Sequence, residues 1–344
     1  MKILVTGGAG FIGSCFVRLT LQDPSIEITN VDKLSYAGNL ENLTPVANNP
    51  RHRFSKTDIC DLEGLRRVFD ETKPDAVVHF AAESHVDRSI FSPQPVFDTN
   101  LRGTFNLLET MRACPVRRFV HVSTDEVYGS IDPPHEADEN YPLRPSSPYS
   151  AAKAGSDLLA LGYFTTYKMP AIVTRASNNY GPYQFPEKLI PLMISNALAG
   201  KKLPIYGDGM QVRDWLYVED HCRAIRAILE KGRDGEIYNI GGNRSVPNKW
   251  VVERILAITG KPTSLMETVT DRPGHDRRYA LSSEKTTKET GWKPLMDFET
   301  GIQATVDWYR ANSEWIDHVK SGEYQSYYAR NYDNRASEMN QIVS

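Results

Sequence analysis

Two residue pairs carry most of the chemistry this chain could perform. In HVSTDEVYGS (121–130), Asp125 and Glu126 stand side by side, just past an apolar-rich run, Phe119 to Val122, that reads as a buried strand. Burying one unpaired carboxylate is expensive and burying two is worse. Two neighbouring carboxyl groups become useful when their surroundings set their pKa values apart, one as general base and one as general acid. The longer Glu126 reads as the base and Asp125 as the protonated acid. A capping or turn role is the plain alternative for both.

The second pair is Tyr149 and Lys153 in SSPYSAAKAGSDLL (146–159). Spacing of i, i+4 puts both on one helix face, with Pro148 placed to begin the helix. A nearby ammonium favours phenolate, so Lys153 is expected to lower the Tyr149 pKa and let it act as a general base. Taken alone, the same spacing suits a surface pair.

A third feature supplies the setting for both. VTGGAGFIG follows the first strand-like run and opens a helical pattern, with Gly7, Gly10 and Gly13 spaced as GxxGxxG. Glycines permit a tight turn, close backbone approach to a pyrophosphate and close helix–strand packing. The helix N-terminus then offers free N–H groups to the phosphates. Asp32 ends the second strand-like run, 25 residues after Gly7. A carboxylate there accepts hydrogen bonds from a ribose and repels a 2′-phosphate, which favours NAD over NADP. Lys33 follows at once and softens that preference. Asp58, ending the third run, is placed for the adenine or serves as a cap.

The elements that must position these residues alternate. Strand-like runs are KILVT (2–6), EITNVD (27–32), HRFSKTD (52–58), AVVHFAA (76–82), RRFVHVST (117–124) and PAIVTRAS (170–177). Helical patterns lie between them: Ile12, Cys15, Phe16 and Leu19 form one apolar stripe, and 62–71 and 96–113 continue the series. Such alternation predicts an α/β, Rossmann-type doubly wound parallel sheet. From about residue 178 the rhythm breaks into Pro-, Tyr- and Asn-rich text, with a further sheet strand at 236–242, helices at 250–260 and 298–312, and a loop-rich stretch at 268–281. The expected organisation is an NAD-binding domain from 1–177 plus about 212–245. A smaller mixed α/β substrate-binding lobe takes 178–211 and 246–327, and a polar tail takes 328–344.

Composition is that of an ordinary globular chain: 344 residues, 40% hydrophobic, 24% charged, net charge −3. The balance gives no footprint for nucleic acid or anionic membrane. Cys15, Cys60, Cys114 and Cys222 lack metal-like spacing and read as free thiols in a reducing compartment. No metal is expected. MKILVTGG is no signal peptide, and no apolar run approaches the ~18 residues of a membrane helix. A cytoplasmic protein is the expectation.

The glycine loop, the strand-end Ser123–Thr124 and the YxxxK spacing together resemble the extended short-chain dehydrogenase/reductase family. The resemblance narrows to the dTDP-glucose 4,6-dehydratases through DKLSYAGNL (32–40), AAESHVDRSI (81–90), STDEVYG (123–129), SNNYGPYQFPEKLIPL (177–192), RDWLYVEDH (213–221), YNIGG (238–242), DRPGHDRRYA (271–280) and GWKP (291–294), and it extends to about residue 327. Departures are Arg175 and Ala176 in RASNNYG, and the text RSVPNKW (244–250), which leaves Asn248 less firmly matched.

That resemblance implies a reaction: oxidation of a sugar nucleotide at carbon 4 by tightly bound NAD, loss of water across carbons 5 and 6, and return of the hydride to carbon 6. It implies that Thr124 and Tyr149 contact the sugar hydroxyl being oxidised, that Lys153 supports Tyr149, and that Glu126 and Asp125 are base and acid for the elimination. The expected cofactor-binding set is Gly7, Gly10, Phe11, Ile12, Gly13, Asp32, Lys33, Leu34, Ser35, Asp58, Ile59, Phe80, Ala81, Ala82, Ser84, Thr99, Tyr149, Lys153 and Asn179. For the substrate, dTDP-glucose, Asn178, Lys188 and Leu189 are placed beside phosphates and sugar, and Pro204, Ile205 and Tyr206 at the thymine. Thr124, Asn248, Asp271 and His275 complete the set with Arg213 and Arg272, whose guanidinium forks suit phosphate oxygens. Ser84 and His85 follow the fourth strand, where doubly wound sheets bind ligands, although His85 also suits a structural role. Resemblance further implies a homodimer paired through the helices at 96–113 and 149–168, and a place in deoxysugar (rhamnose-type) synthesis. A nucleotide-sugar 4-epimerase, which has no evident use for the two acids, and a non-catalytic NAD-binding scaffold are the rival readings.

Overall fold

The computed structural model describes residues 1–320, 323–329 and 332. The expected polar tail from 328 lies outside these apart from 328, 329 and 332. Six strands form from the six runs of the first half: β1 (Lys2–Thr6), β2 (Glu27–Asp32), β3 (His52–Lys56), β4 (Ala76–His79), β5 (Arg118–Thr124) and β6 (Ala171–Ala176). Beyond them come β7 (Asn178–Tyr180), β8 (Leu203–Tyr206), β9 (Val212–Tyr217), β10 (Ile237–Ile240), β11 (Ser245–Pro247) and β12 (Met266–Val269).

The large sheet runs β3-β2-β1-β4-β5-β6-β10, and every neighbouring pair is parallel. Both faces are covered, which is why the strands read as continuous apolar runs. Ile3 and Val5 point to one core, shared with Phe16 of the helix Phe11–Thr20 and Ile225 of the helix Val218–Lys231. Leu4 between them points to the other core, with Phe69 of the helix Leu62–Thr72 and Leu107 of Thr104–Ala113. Each such fully buried side chain contributes about 1.5–3 kcal/mol. After β3 the chain crosses back to the other side of β1, so β1 and β4 flank the switch point where a crevice opens at the strand C-termini.

The stretch expected as one helix from 96 to 113 is continuous but not uniform: Pro93–Phe97 is α-helical, Asp98–Gly103 widens into a π turn, and Thr104–Ala113 resumes the α form. The rest of the chain builds a smaller unit. Strands β7 and β9 pair parallel and β9 pairs β11 antiparallel. Strand β8 pairs with β12, whose last residues fall in text expected as loop. Helices Leu189–Leu198, Asn248–Thr259 and Phe298–Ala311 share a core with Tyr180 and Trp215 beside these small sheets. Among the described residues no helix is long and apolar enough to cross a membrane.

Candidate active site

One cavity lies between the large sheet's C-terminal edge and the smaller unit, lined by residues from both. Its floor is the end of β5. There the backbone leaves the strand at Thr124 and enters a single 3₁₀ turn, Asp125–Tyr128. Thr124 caps this turn, its Oγ1 accepting from the Glu126 N–H at 3.2 Å. Strand geometry would send adjacent side chains to opposite faces; the turn rotates each residue by about a third of a circle instead. Asp125 and Glu126 therefore both line the cavity.

Their surroundings differ. Asp125 is 2% exposed, and burial, followed by the neighbouring Glu126 carboxylate, pushes its pKa well above the usual carboxylate range, with Arg213 opposing. Thr124 Oγ1 donates to Asp125 Oδ1 at 3.3 Å, while the buried Oδ2 has no partner among the described residues. Glu126 is half-buried. The surroundings thus favour the protonated form of Asp125, beside a more exposed acid.

Above them runs the helix Pro148–Tyr167, started by Pro148 and closed at its N-terminus by reciprocal Ser147–Ser150 hydrogen bonds. Tyr149 and Lys153 share its cavity face. Tyr149 is bonded to Thr124, yet burial and then the Glu126 charge push its phenol far above the ordinary value. The expected lowering of Tyr149 by Lys153 is not seen here: burial and the nearby carboxylates raise its proton affinity, with Thr124 opposing. Burial also brings Lys153 down to about 8, Asp157 opposing, and its Nζ donates to the Val122 carbonyl at 2.8 Å.

The dinucleotide crevice follows from the glycine loop. A Cβ on Gly7, whose φ is +72°, would lie 2.5 Å from the Ala81 nitrogen, and one on Gly13 2.3 Å from the Gly7 oxygen. The loop therefore hugs the sheet and leaves room above it. Gly10 begins the first helix without a side-chain cap, so the N–H groups there are available to phosphate. Asp32 is held at the rim by the N–H groups of Ala9 (3.0 Å) and Leu34 (2.8 Å). Lys33 Nζ lies 3.4 Å from Glu83, 4.0 Å from Asp58 and 3.3 Å from Thr99 Oγ1. The cradle and the carboxylate at its rim fit NAD.

Of the sequence-predicted cofactor residues, Phe11, Ile12, Ser35, Asp58, Ile59, Phe80, Ala81, Ala82, Ser84, Thr99 and Asn179 line the cavity with the glycines, Asp32 and Lys33. Leu34 does not. It packs on the main core, and its contribution is the N–H that steadies Asp32. Asn178, Lys188, Leu189, Pro204, Ile205, Tyr206, Arg213, Asn248, Arg272 and His275 also line the cavity. Asp271 stays outside that lining, accepting from Gln211 Nε2 at 2.8 Å and pairing with His275 Nδ1 at 2.6 Å, so it orients groups that do face inward. His85 lines the cavity and also caps the helix Val86–Phe91, accepting from the Arg88 N–H at 3.4 Å. Burial brings it down to about 4, which keeps the ring neutral.

Buried Oδ1 atoms of Asn178 and Asn248 and the Nε of Arg272 lack partners among the described residues. Unmet polar groups in a lined cavity call for a polar ligand. Sequence reasoning missed Glu187, Gln184, Asp87 and Tyr279, all in the lining. Tyr279 lies under the Arg213 guanidinium at 4.1 Å; its position at the end of the arginine-rich DRPGHDRRY was the available signal.

Comparison with known proteins agrees with this geometry. The family model described as GDP-mannose 4,6 dehydratase matches residues 4–305. A dTDP-glucose 4,6-dehydratase of Salmonella typhimurium is 51% identical, covering 97% of this chain and all of its own. Among solved structures, a dTDP-glucose 4,6-dehydratase of Bacillus anthracis in complex with NAD superposes with TM-score 0.88 at 52% identity, covering 93% of this chain and 100% of that one. That of Streptomyces venezuelae with NAD and TYD bound gives TM-score 0.91 at 50% identity, with the same coverage. With a fingerprint loop for the dinucleotide, a Tyr–Lys helix and twin acids on one turn, the chain belongs to the dTDP-glucose 4,6-dehydratase family of extended short-chain dehydrogenases/reductases.

Proposed function

We propose that this protein is an NAD-dependent hydro-lyase that converts dTDP-glucose to dTDP-4-keto-6-deoxyglucose and water. The observation that carries the reading is the 3₁₀ turn at the end of β5, which delivers Asp125 and Glu126 together into a cavity already holding Thr124, Tyr149 and Lys153.

Each group has a task set by its environment. Arg213, Arg272 and Lys188 hold the diphosphate, and Pro204, Ile205 and Tyr206 flank the base. Thr124 and Tyr149 bond the sugar's 4-hydroxyl, and Tyr149 takes its proton. NAD, held by the Gly7–Gly13 loop and Asp32, when bound supplies a hydride acceptor for carbon 4 and a donor for carbon 6. A carbonyl at carbon 4 acidifies the hydrogen on carbon 5; Glu126 removes it and returns a proton to carbon 5 when the hydride reaches carbon 6. Asp125, kept protonated by burial, gives its proton to the departing 6-oxygen. Enclosure of the site protects the unsaturated intermediate from water.

Incubation with dTDP-, UDP- and GDP-glucose side by side, with product analysis, tests this. A 4-keto-6-deoxy sugar from the thymidine nucleotide is expected, without net change in cofactor oxidation state. A galactose isomer would move the protein to the 4-epimerases, and an unchanged sugar to a binding role. We further infer a cytoplasmic homodimer. Support comes from four free cysteines, and from Phe97, Phe105, Leu158 and Tyr167, all exposed on the helical stretches 93–113 and 148–167. Sedimentation of the purified protein checks the dimer.

A further inference from the structure

A contact that neither the glycine loop nor the acid pair requires spans the cavity mouth. Tyr36 stands on the loop that follows Asp32, and its chain neighbours Ser35 and Ala37 line the cofactor side of the cavity. Glu187, in the segment before the helix Leu189–Leu198, lines the cavity too and adjoins Lys188. The Tyr36 hydroxyl donates to Glu187 Oε1 at 3.1 Å. Arg88, from the short helix Val86–Phe91, donates through Nε to Glu187 Oε2 at 3.1 Å. Its guanidinium also lies 3.7 Å from the centre of the Tyr36 ring, and Phe185 meets that ring edge-on at 5.6 Å. Three chain segments thus join in one charge-assisted, stacked cluster. Glu187 is 4% exposed, so the cluster is shielded from the water that weakens such contacts at open surfaces.

The rest of the loop is tied by Leu34 N–H to Asp32, by Asn39 N–H to the Ala9 carbonyl at 3.0 Å, and at its start by Lys33 to Glu83 and Thr99. Tyr36 is its tie to Glu187, at the segment that leads into the smaller unit. We propose that Tyr36 and Arg88 are the bolt that retains the dinucleotide, positioning the loop over it so that NAD leaves only after Tyr36 and Arg88 part. The inference rests on the NAD reading given above and explains how it would work in practice. A reaction that lends a hydride and takes it back fails if the reduced cofactor escapes in mid-cycle, so slow release serves the chemistry.

The test is nucleotide exchange. Wild type, Tyr36→Phe, Tyr36→Ala and Arg88→Met are loaded with NAD and challenged with excess isotope-labelled NAD, and the protein-bound nucleotide is weighed by mass spectrometry after desalting. Uptake by NAD-stripped protein is timed separately, and thermal melting checks that each variant is folded. Tyr36→Ala and Arg88→Met are expected to speed both release and uptake by roughly tenfold or more, with the dissociation constant moving less than either rate. Tyr36→Phe, which keeps the stacked ring but loses the hydroxyl, falls between. Faster release with unchanged uptake would mark an ordinary binding contact and overturn the bolt, as would wild-type exchange in all three variants. A wild type that neither carries nor takes up NAD would overturn the cofactor reading instead.

Discussion

Lys153 Nζ donates to the backbone oxygen of Val122 at 2.8 Å, pinning the Tyr149 helix to β5 two residues before Thr124. The ammonium is thereby fixed in place, although burial favours its loss of a proton. Because the folded state holds that proton less tightly than the unfolded chain, wild-type stability should rise as pH passes from about 8 to the ordinary lysine value near ~10.5. Lys153→Met removes this dependence. In NAD-stripped protein, the stability difference between variant and wild type should shift steadily in favour of wild type over that window, and be constant below pH ~7. Denaturant titrations across pH check it.

Tyr149→Phe removes the group that takes the hydroxyl proton while leaving the ring packed. The first oxidation should slow by about 10²–10⁴-fold, read as the loss of NADH absorbance in a single turnover. Normal oxidation would require another base.

Asp125→Asn should spare the oxidation and slow loss of the 6-oxygen by about 100-fold or more. NADH would then accumulate on the enzyme with the intact hexose. Unaltered turnover would remove Asp125 from the elimination.

Glu126→Gln should also stall after oxidation, and it has a second effect. The Glu126 charge is one cause of the high proton affinity of Asp125, so removing it should lower the Asp125 pKa. Infrared titration of the protonated carboxyl band would show the midpoint moving to lower pH.

Arg175, the departure noted in RASNNYG, is 2% exposed. It pairs with fully buried Asp157 at 2.9 Å and bonds the Tyr128 hydroxyl at 3.0 Å. Arg175→Leu leaves the buried Asp157 carboxylate with His121, 3.4 Å away, but without its guanidinium, and should cost about 3–5 kcal/mol. The double variant with Asp157→Asn should recover part of that loss, measured by denaturant unfolding.

Much of the site was legible because its motifs are local. Gly7 to Gly13 and Tyr149 to Lys153 each lie within one turn or helix face, so spacing alone reports their geometry. The large sheet was legible for a similar reason: six apolar runs alternate with helical stripes. Contacts made across the fold left no such trace. Glu187 meets Arg88 and Tyr36 from 99 and 151 residues away, and nothing in the text PEK announces a partner. Leu34 and Asp271 sit within matching motifs, but their side chains serve the frame rather than the cavity. Tyr149 shows the limit of pairwise reasoning, since its proton affinity answers to the desolvation of a whole pocket.

The twin acids ride on four residues of backbone that follow a generic strand, and Thr124 alone caps that segment through its side chain. Neither main core depends on them. A lineage built on this architecture can therefore gain or shed the dehydrating step through changes confined to one short peptide, while nucleotide recognition and the hydride-handling apparatus pass unchanged to the descendant.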